Sequence, residues 1–228
     1  MRLGVKLVLV CLAVAAAGVL IGFYASNLTT LAGSPAYSVP VQEVSGKKVV
    51  NLTLQTVAAI GPELSQNPDW VSYLIRNTQG QWKRETVWNL PANATVHVTI
   101  YNFDGASGLR NPYLGRPQGM VGNRILVDGK PVNAVDPNDA SHTFAVPQLG
   151  LILAIPGVPD DAKHPCDFAP CSVSKDDHRK IQFTFKTPSK PGTFRWQCFV
   201  PCAAGWIDGF GGPMATIGYM DGYLNVKA

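Results

Sequence analysis

Apolar and polar residues alternate along much of the chain after residue 47, and this period of two predicts β-strands. Val50, Leu52 and Leu54 alternate with polar neighbours in the first such segment. The same alternation recurs at residues 96–100, 142–146, 181–185, 194–198 and 224–226. Many short strands separated by Pro- and Gly-containing segments are typical of a β-sandwich or barrel. The pattern therefore predicts an all-β domain over residues 47–228.

Two local signals predict a turn and a helix within this domain. Asp128-Gly129 lies between two short apolar segments, which is typical of a hairpin with a type I′ turn. Asn67-Pro68 precedes further apolar residues that include Leu74, and this predicts a short capped helix with Pro at its first position.

An uninterrupted apolar segment occupies residues 7–25 and is long enough to cross about 30 Å of hydrocarbon as a helix. Arg2 and Lys6 precede it, and the next charged residue is Glu43. The excess of positive charge before the segment places the N-terminus in the cytoplasm and the rest of the chain outside.

These features predict three regions. Residues 1–25 form an uncleaved membrane anchor, residues 26–46 a linker, and residues 47–228 the β-domain. The protein would then be a single-pass membrane protein whose C-terminal domain is extracytoplasmic, on the periplasmic or cell-surface side. A cleaved signal peptide is the alternative reading of the first region.

Composition excludes several other classes of protein. The chain has 228 residues, of which 46% are apolar and 15% charged, so it can bury a sizeable core and is not disordered. Its net charge is only +4, and no basic cluster is present, which argues against nucleic-acid binding. The 22 Gly and 18 Pro disfavour a coiled coil or helical bundle.

Four of the five cysteines lie in the predicted outer domain, where an oxidising compartment permits disulfides. Cys166 and Cys171 lie in a polar segment that indicates a loop, and we interpret them as a disulfide across it. Cys198 and Cys202 follow a predicted strand, where two thiols suit either a soft metal such as copper or a second disulfide. Cys11 lies in the apolar segment and is interpreted as a small apolar residue there.

His142 is the histidine whose position best suits a ligand. It shares one face of its predicted strand with Phe144, so its ring is expected to point inward. His97 is out of phase with its apolar neighbours, and His178 lies among charged residues, so both are expected to face solvent. His164 lies in the loop before the Cys198 strand and is a candidate replacement ligand.

Two motifs resemble the cupredoxin superfamily, in particular cytochrome c oxidase subunit II (CuA-type) domains and sulfocyanin-like proteins. The first is SHTFAVPQLG at residues 141–150, followed by AIPG. In that family the His of this motif, here His142, binds copper. The second is FKTPSKPGTFRWQCFVPC at 185–202, which resembles the family's Pro-Gly turn and the strand leading into Cys-x3-Cys. The resemblance implies a cupredoxin-like Greek-key β-sandwich.

The chain departs from the family at two ligand positions. The dinuclear pattern C-x3-C-x3-H-x2-M requires His at 206 and Met at 209, but this chain has Trp206 and Gly209. Met214 follows in a longer segment and offers a soft sulfur ligand. The resemblance therefore implies a degenerate copper site made by His142, Cys198, Cys202 and Met214.

The function implied is copper binding and electron transfer in a respiratory chain, by a membrane-anchored subunit II-like protein that is not expected to be catalytic itself. Its expected partners are the membrane, through the N-terminal helix, and a respiratory complex or redox protein. The alternative is a copper-free module that docks to an oxidase or another membrane complex, with Cys198 and Cys202 as a disulfide. A thiol oxidoreductase is disfavoured because the spacing is C-x3-C rather than C-x-x-C.

Overall fold

The computed structural model describes residues 3–31, 36–61, 64, 69–202 and 212–228. The chain divides into two units, Met1–Ser34 and Pro35–Ala228. Among the described residues, the first unit contains one helix and the second contains the β-strands.

Helix α1 spans Leu3–Leu31. Its segment Gly4–Phe23 has a mean hydropathy of 2.5, and none of that segment is buried. A helix that is apolar on all sides and long enough to cross a bilayer suits a membrane anchor or a signal sequence. The helix continues past Ala25, where the sequence predicted a linker, to Leu31.

The strands of the second unit are short and follow one another closely. Among the described residues they are β1 (Tyr37–Ser38), β2 (Val41–Val44), β3 (Lys47–Val57), β4 (Ser72–Arg76), β5 (Trp82–Lys83), β6 (Val87–Pro91), β7 (Thr95–Asn102), β8 (Ile125–Val127), β9 (Lys130–Val132), β10 (Ala140–Val146), β11 (Leu151–Pro156), β12 (Arg179–Lys186), β13 (Gly192–Gln197) and β14 (Asp221–Lys227). Short 3₁₀ helices occur at Pro112–Gly115, Val121–Asn123, Pro137–Asp139, Pro147–Leu149 and Gly212–Ala215.

These strands form two sheets. Sheet A has the order β1-β6-β14-β13-β10-β11, and sheet B has the order β5-β4-β3-β7-β12-β8-β9, with β2 paired to β3. The chain passes repeatedly from one sheet to the other, as in a Greek-key sandwich. The predicted all-β sandwich with one N-terminal helix is confirmed.

Residues of both sheets share one buried core, which confirms the alternation found in the sequence. Leu52 and Val98 of sheet B and Phe144 and Leu224 of sheet A are buried in it. The predicted hairpin is also present, since Asp128-Gly129 joins β8 to β9 and both residues have positive φ, as a type I′ turn requires.

Four aromatic rings pack together in this core, one of them from Phe144 of β10. The indoles of Trp88 and Trp196 stack with centroids 5.0 Å apart and an interplanar angle of 8°. Tyr73 meets Trp196 edge-on at 4.9 Å, and Phe144 lies 5.6 Å from the same indole. The Trp196 Nε1–H donates to the Thr86 carbonyl over 2.9 Å, so this buried polar group is paired.

The helix predicted to reach Leu74 is wrong, because Leu74 lies in β4 and pairs with Gln55 of β3. Residues 72–75 are all buried, so this strand is covered on both faces and its sequence lacks the alternation of a half-exposed strand. Asn67 and Pro68, the predicted start of the helix, lie outside the described residues.

The predicted linker also differs from the structure, since β1 and β2 lie within residues 26–46. All four residues of β2 are exposed, and β2 forms a hairpin with β3 around Ser45-Gly46. An exposed edge strand buries no apolar face, so its sequence has little alternation to detect.

The predicted loop disulfide is confirmed. Cys166 and Cys171 are bonded to one another. Cys171 belongs to a second, smaller buried cluster with Val57, Leu74 and Phe103, so the disulfide fixes this long loop against sheet B.

Candidate metal centre

The candidate site lies where two neighbouring strands of sheet A meet. β10 and β13 pair at Ala145 and Gln197, which brings residues after β13 close to β10. Cys198 follows β13 directly, and His142 lies in β10 just after a shift in register against β11. Such bulges redirect side chains, and here the residue after the bulge points toward the cysteines.

Three of the predicted ligand residues converge at this point. The Nδ1 atom of His142 lies 3.2 Å from Cys202 Sγ, and the two sulfurs of Cys198 and Cys202 are 3.0 Å apart. The three ligand atoms all lie within 4.8 Å of one another. His142 and Cys198 are fully buried, Cys202 is half-buried, and both thiols are free in this structure.

Backbone groups of the two strands hold Cys198 in place. Thr143 N–H donates to the Cys198 sulfur over 3.3 Å, and Cys198 N–H donates to the Met220 carbonyl over 3.0 Å. The hydroxyl of Thr143 accepts from Phe199 N–H at 2.7 Å. The first cysteine is thus fixed by hydrogen bonds to β10 and to the turn before β14.

The electrostatics of the site shift the pKa values of the two thiols in opposite directions. Burial raises the pKa of Cys198, but hydrogen bonds from Cys202 and His142 outweigh it, and the net pKa lies well below its usual value. Burial and the neighbouring Cys198 raise the pKa of Cys202. Burial lowers the pKa of His142, yet Asp104 and Cys198 more than compensate and bring it to about 9. Cys198 is therefore the thiolate, and Cys202 the thiol beside it.

We expect the reduced, metal-free protein to carry one thiolate at neutral pH. Because the pKa of Cys198 is lowered, its thiolate should persist at neutral pH and be protonated only on acidification. The ultraviolet absorbance of thiolate, followed during an acid titration, measures this. Cys198→Ser should lack the signal, whereas Cys11→Ser should retain it. A wild-type signal that develops only at alkaline pH would contradict the assignment.

The predicted fourth ligand, Met214, is buried in the 3₁₀ helix Gly212–Ala215. Gln197 Nε2 donates to the Met214 carbonyl over 2.7 Å, and Met220 N–H donates to the Pro213 carbonyl over 3.0 Å. These bonds hold the segment next to the end of β13. The ligand role of Met214 stays a prediction, and Trp206 and Gly209 lie outside the described residues.

The other histidines lie elsewhere. His164 is 69% exposed and lies 4.0 Å from Asp177, so the structure does not bring this candidate replacement ligand to the site. His97 is exposed, as predicted, and its Nδ1 lies 2.9 Å from the Thr184 hydroxyl. His178 was expected to face solvent but is half-buried, with its ring 5.4 Å from Tyr101.

Sequence reasoning missed one residue of the site, Asp104. Its Oδ2 lies 3.2 Å from Nε2 of His142, on the side of the ring away from the sulfurs. Asp104 follows β7 in an Asp-Gly pair, which in the sequence indicates only a turn. No spacing rule links it to a histidine in a later strand.

Comparison with known proteins gives matches among solved structures only. No family model and no curated protein matches the chain. Thirteen chains of solved structures match. Rusticyanin from Thiobacillus ferrooxidans at 1.27 Å resolution is 17% identical, with 83% of this chain and 87% of that chain covered and a TM-score of 0.32. Reduced rusticyanin at 1.9 Å resolution is 14% identical, with 83% and 89% covered and a TM-score of 0.29.

A further rusticyanin structure, described as that of a copper protein, is 16% identical with a TM-score of 0.31, and covers 83% of this chain and 88% of that one. TM-scores this low carry no argument about this chain. Its fold and candidate site are therefore described only from its own two sheets and from the cluster of His142, Cys198 and Cys202.

Proposed function

We propose that this chain is a membrane-anchored, extracytoplasmic cupredoxin-like protein that binds copper and transfers electrons in a respiratory chain, in the manner of an oxidase subunit II. The observation that carries this proposal is the convergence of His142, Cys198 and Cys202 within 4.8 Å of one another in a buried position. The predicted donor set is completed by Met214.

The three converging residues fit a soft metal ion. Their ligand atoms are close enough for one ion to reach them all, given metal–nitrogen and metal–sulfur bonds of about 2.0–2.3 Å in comparable zinc sites. Thiolate and thioether sulfurs select Cu(I), and imidazole also suits copper. Since the chain offers one imidazole here, the set should favour Cu(I) over the more highly charged Cu(II).

Copper bound at this point would supply a one-electron couple. The chain's own contribution is to bind and to exclude water. The Cys198 thiolate is fully buried and accepts the Thr143 N–H, so its charge is satisfied without solvent. Both strands that carry the site belong to one hydrogen-bonded sheet, which limits movement of the ligands when the charge of the site changes.

The membrane and respiratory parts of the proposal have separate support. Helix α1 has the length and composition of a membrane span, and Arg2 and Lys6 precede its apolar part. By the positive-inside rule the β-domain would lie outside the cytoplasm. The disulfide Cys166–Cys171 is consistent with that oxidising compartment. The link to an oxidase depends only on the resemblance of the two sequence motifs.

Anaerobic Cu(I) titration of the reduced full-length protein in detergent tests the proposal. We expect saturable uptake by the wild-type protein and strongly weakened uptake by His142→Ala, because the site then has no imidazole. His97→Ala is the matched control, since this exposed histidine lies on the outer face of sheet B. Equal uptake by all three proteins would contradict the proposal. Intense mixed-valence dinuclear bands, appearing when the copper-loaded protein is afterwards treated with a mild oxidant, would instead contradict the single-imidazole site.

The second candidate is a copper-free docking module, and the close approach of the two sulfurs favours it. At 3.0 Å apart, Cys198 and Cys202 can pair on oxidation with little movement. A protein isolated without reductant that has lost both thiols, and that takes up no copper after reduction, would support this candidate.

A further inference from the structure

The ring of His142 has a second nitrogen that the proposed ligand set does not use. This atom, Nε2, is fully buried and has no well-aligned hydrogen-bond partner among the described residues. The carboxylate oxygen Oδ2 of Asp104 lies 3.2 Å away, which makes it the acidic group in contact with the ring. A buried imidazole N–H facing a carboxylate is a feature that needs an explanation, because unpaired buried polar atoms are costly.

Asp104 is held firmly in this position. Its other carboxylate oxygen, Oδ1, accepts the Gly105 N–H at 2.8 Å, and its backbone carbonyl accepts the Val158 N–H at 2.9 Å. The side chain is only 21% exposed. Its position is therefore set by the turn itself and not by the histidine.

Asn102, at the end of β7, ties this turn to both sheets. Its Oδ1 accepts the Thr56 hydroxyl at 2.6 Å and the Asp104 N–H at 3.2 Å. Its Nδ2 donates to the Asp104 carbonyl at 3.0 Å and to the Pro156 carbonyl of β11 at 2.9 Å. Thr56 and Asn102 are fully buried, so the carboxylate rests on a satisfied polar network in the interior.

We propose that Asp104 is a positioning residue of the metal centre. Its carboxylate accepts the Nε2–H of His142, so that Nε2 keeps its proton when a metal ion displaces the one on Nδ1, and the Nδ1 lone pair is then directed to the metal beside Cys198 and Cys202. Metal-bound histidines generally donate their other N–H to such a group, which fixes the ring and raises its basicity as a ligand. The inference rests on the proposed function in that copper is taken as the metal.

The charge of Asp104 has a second effect. A carboxylate in contact with the imidazole ligand favours the higher positive charge of an oxidised site. Removing the Asp104 carboxylate should therefore raise the reduction potential of the site. If Asp104 only held the His142 ring in place, its removal would have no defined sign of effect on the potential. The direction of the shift separates a positioning carboxylate from a merely structural residue.

The test compares Asp104→Asn and Asp104→Ala with wild type in the full-length protein. Asp136→Asn is the matched control, since Asp136 is exposed and accepts the Asn138 N–H at 2.8 Å in a similar turn. In the metal-free protein, NMR should detect a solvent-protected His142 Nε2 proton in wild type and in the control, and not in Asp104→Ala. Thermal unfolding checks that each variant is folded.

With Cu(I), competition against a chelator should show affinity reduced about 10–100-fold in Asp104→Ala, the range typical of such supporting residues. The Asn variant should retain part of the affinity, because its amide oxygen can still accept the proton, and should have a raised reduction potential. Unchanged affinity together with a retained Nε2 proton in Asp104→Ala would overturn the role of Asp104. If the wild-type protein has the protected Nε2 proton but takes up no copper, the proposed function is wrong. The hydrogen bond between Asp104 and His142 would still be supported.

Discussion

Replacing Cys198 with serine should abolish copper binding, whereas the same change at Cys202 should only weaken it. Cys198 is fully buried, its pKa is lowered, and its sulfur already accepts the Thr143 N–H as a thiolate would. A serine hydroxyl stays protonated and is a hard donor, so it replaces neither the charge nor the softness of the sulfur. The loss should exceed the roughly 100-fold that removal of a supporting residue causes.

Cys202 should matter less because it is half-buried and its pKa is raised. It must lose a proton before it can bind a metal ion, so its contribution should grow as the pH rises. Cu(I) affinities of the two single variants, measured at two pH values, give the comparison. Cys11→Ser is the control. Equal losses at Cys198 and Cys202 would show that the two sulfurs are equivalent and that the assigned thiolate is wrong.

Trp196→Ala should lower the free energy of unfolding by about 3–5 kcal/mol, the usual range for removing a large buried aromatic side chain. Trp196 is fully buried and contacts Trp88, Tyr73 and Phe144. The change opens a cavity between the sheets and leaves the Thr86 carbonyl without the indole N–H. Tyr73 would lose its contact with Trp196. Because the Tyr73 hydroxyl donates to the Thr143 carbonyl, next to His142, the candidate site should also loosen.

Urea unfolding of the metal-free protein, followed by circular dichroism, measures this loss. Trp82→Ala is the matched control, because Trp82 is only partly buried in the edge strand β5 and its ring lies 6.0 Å from the Arg76 guanidinium. The control should lose clearly less stability. Similar losses in both variants would mean that the aromatic cluster is not the main support of the sandwich.

Much of the sandwich could be predicted from the sequence, because half-exposed strands carry a period of two. Val50, Val96 and Ile181 lie in such strands, and each is buried as its phase predicted. The pattern failed for β4, which is buried on both faces, and for β2, which is exposed on all its residues. On each of these two strands both faces have the same surroundings, so apolar and polar residues need not alternate along the sequence.

The proximity of His142, Cys198 and Cys202 could be expected from the strands that carry them. His142 lies in β10, whose residues are all buried, and Cys198 directly follows β13, so the burial of each could be expected from its apolar neighbours. Asp104 could not be, because its contact with His142 joins the end of β7 to a strand in the other sheet. The exposure of His164 was equally hidden, since it depends on how a long loop folds and not on any local period.

The position of β14 has a consequence for the order of folding. Residues 221–227 do not lie at the edge of sheet A but between β6 and β13, pairing in parallel with residues 87–91. Sheet A therefore cannot close during synthesis until residues 221–227 have emerged, and its contacts span long sequence separations, which slows folding. Before that point β14 is missing from between β6 and β13, so each of these strands has an unpaired edge. Such edges can aggregate or be bound by a chaperone. A nascent chain of this protein would thus keep sheet A incomplete until residues 221–227 are available to pair.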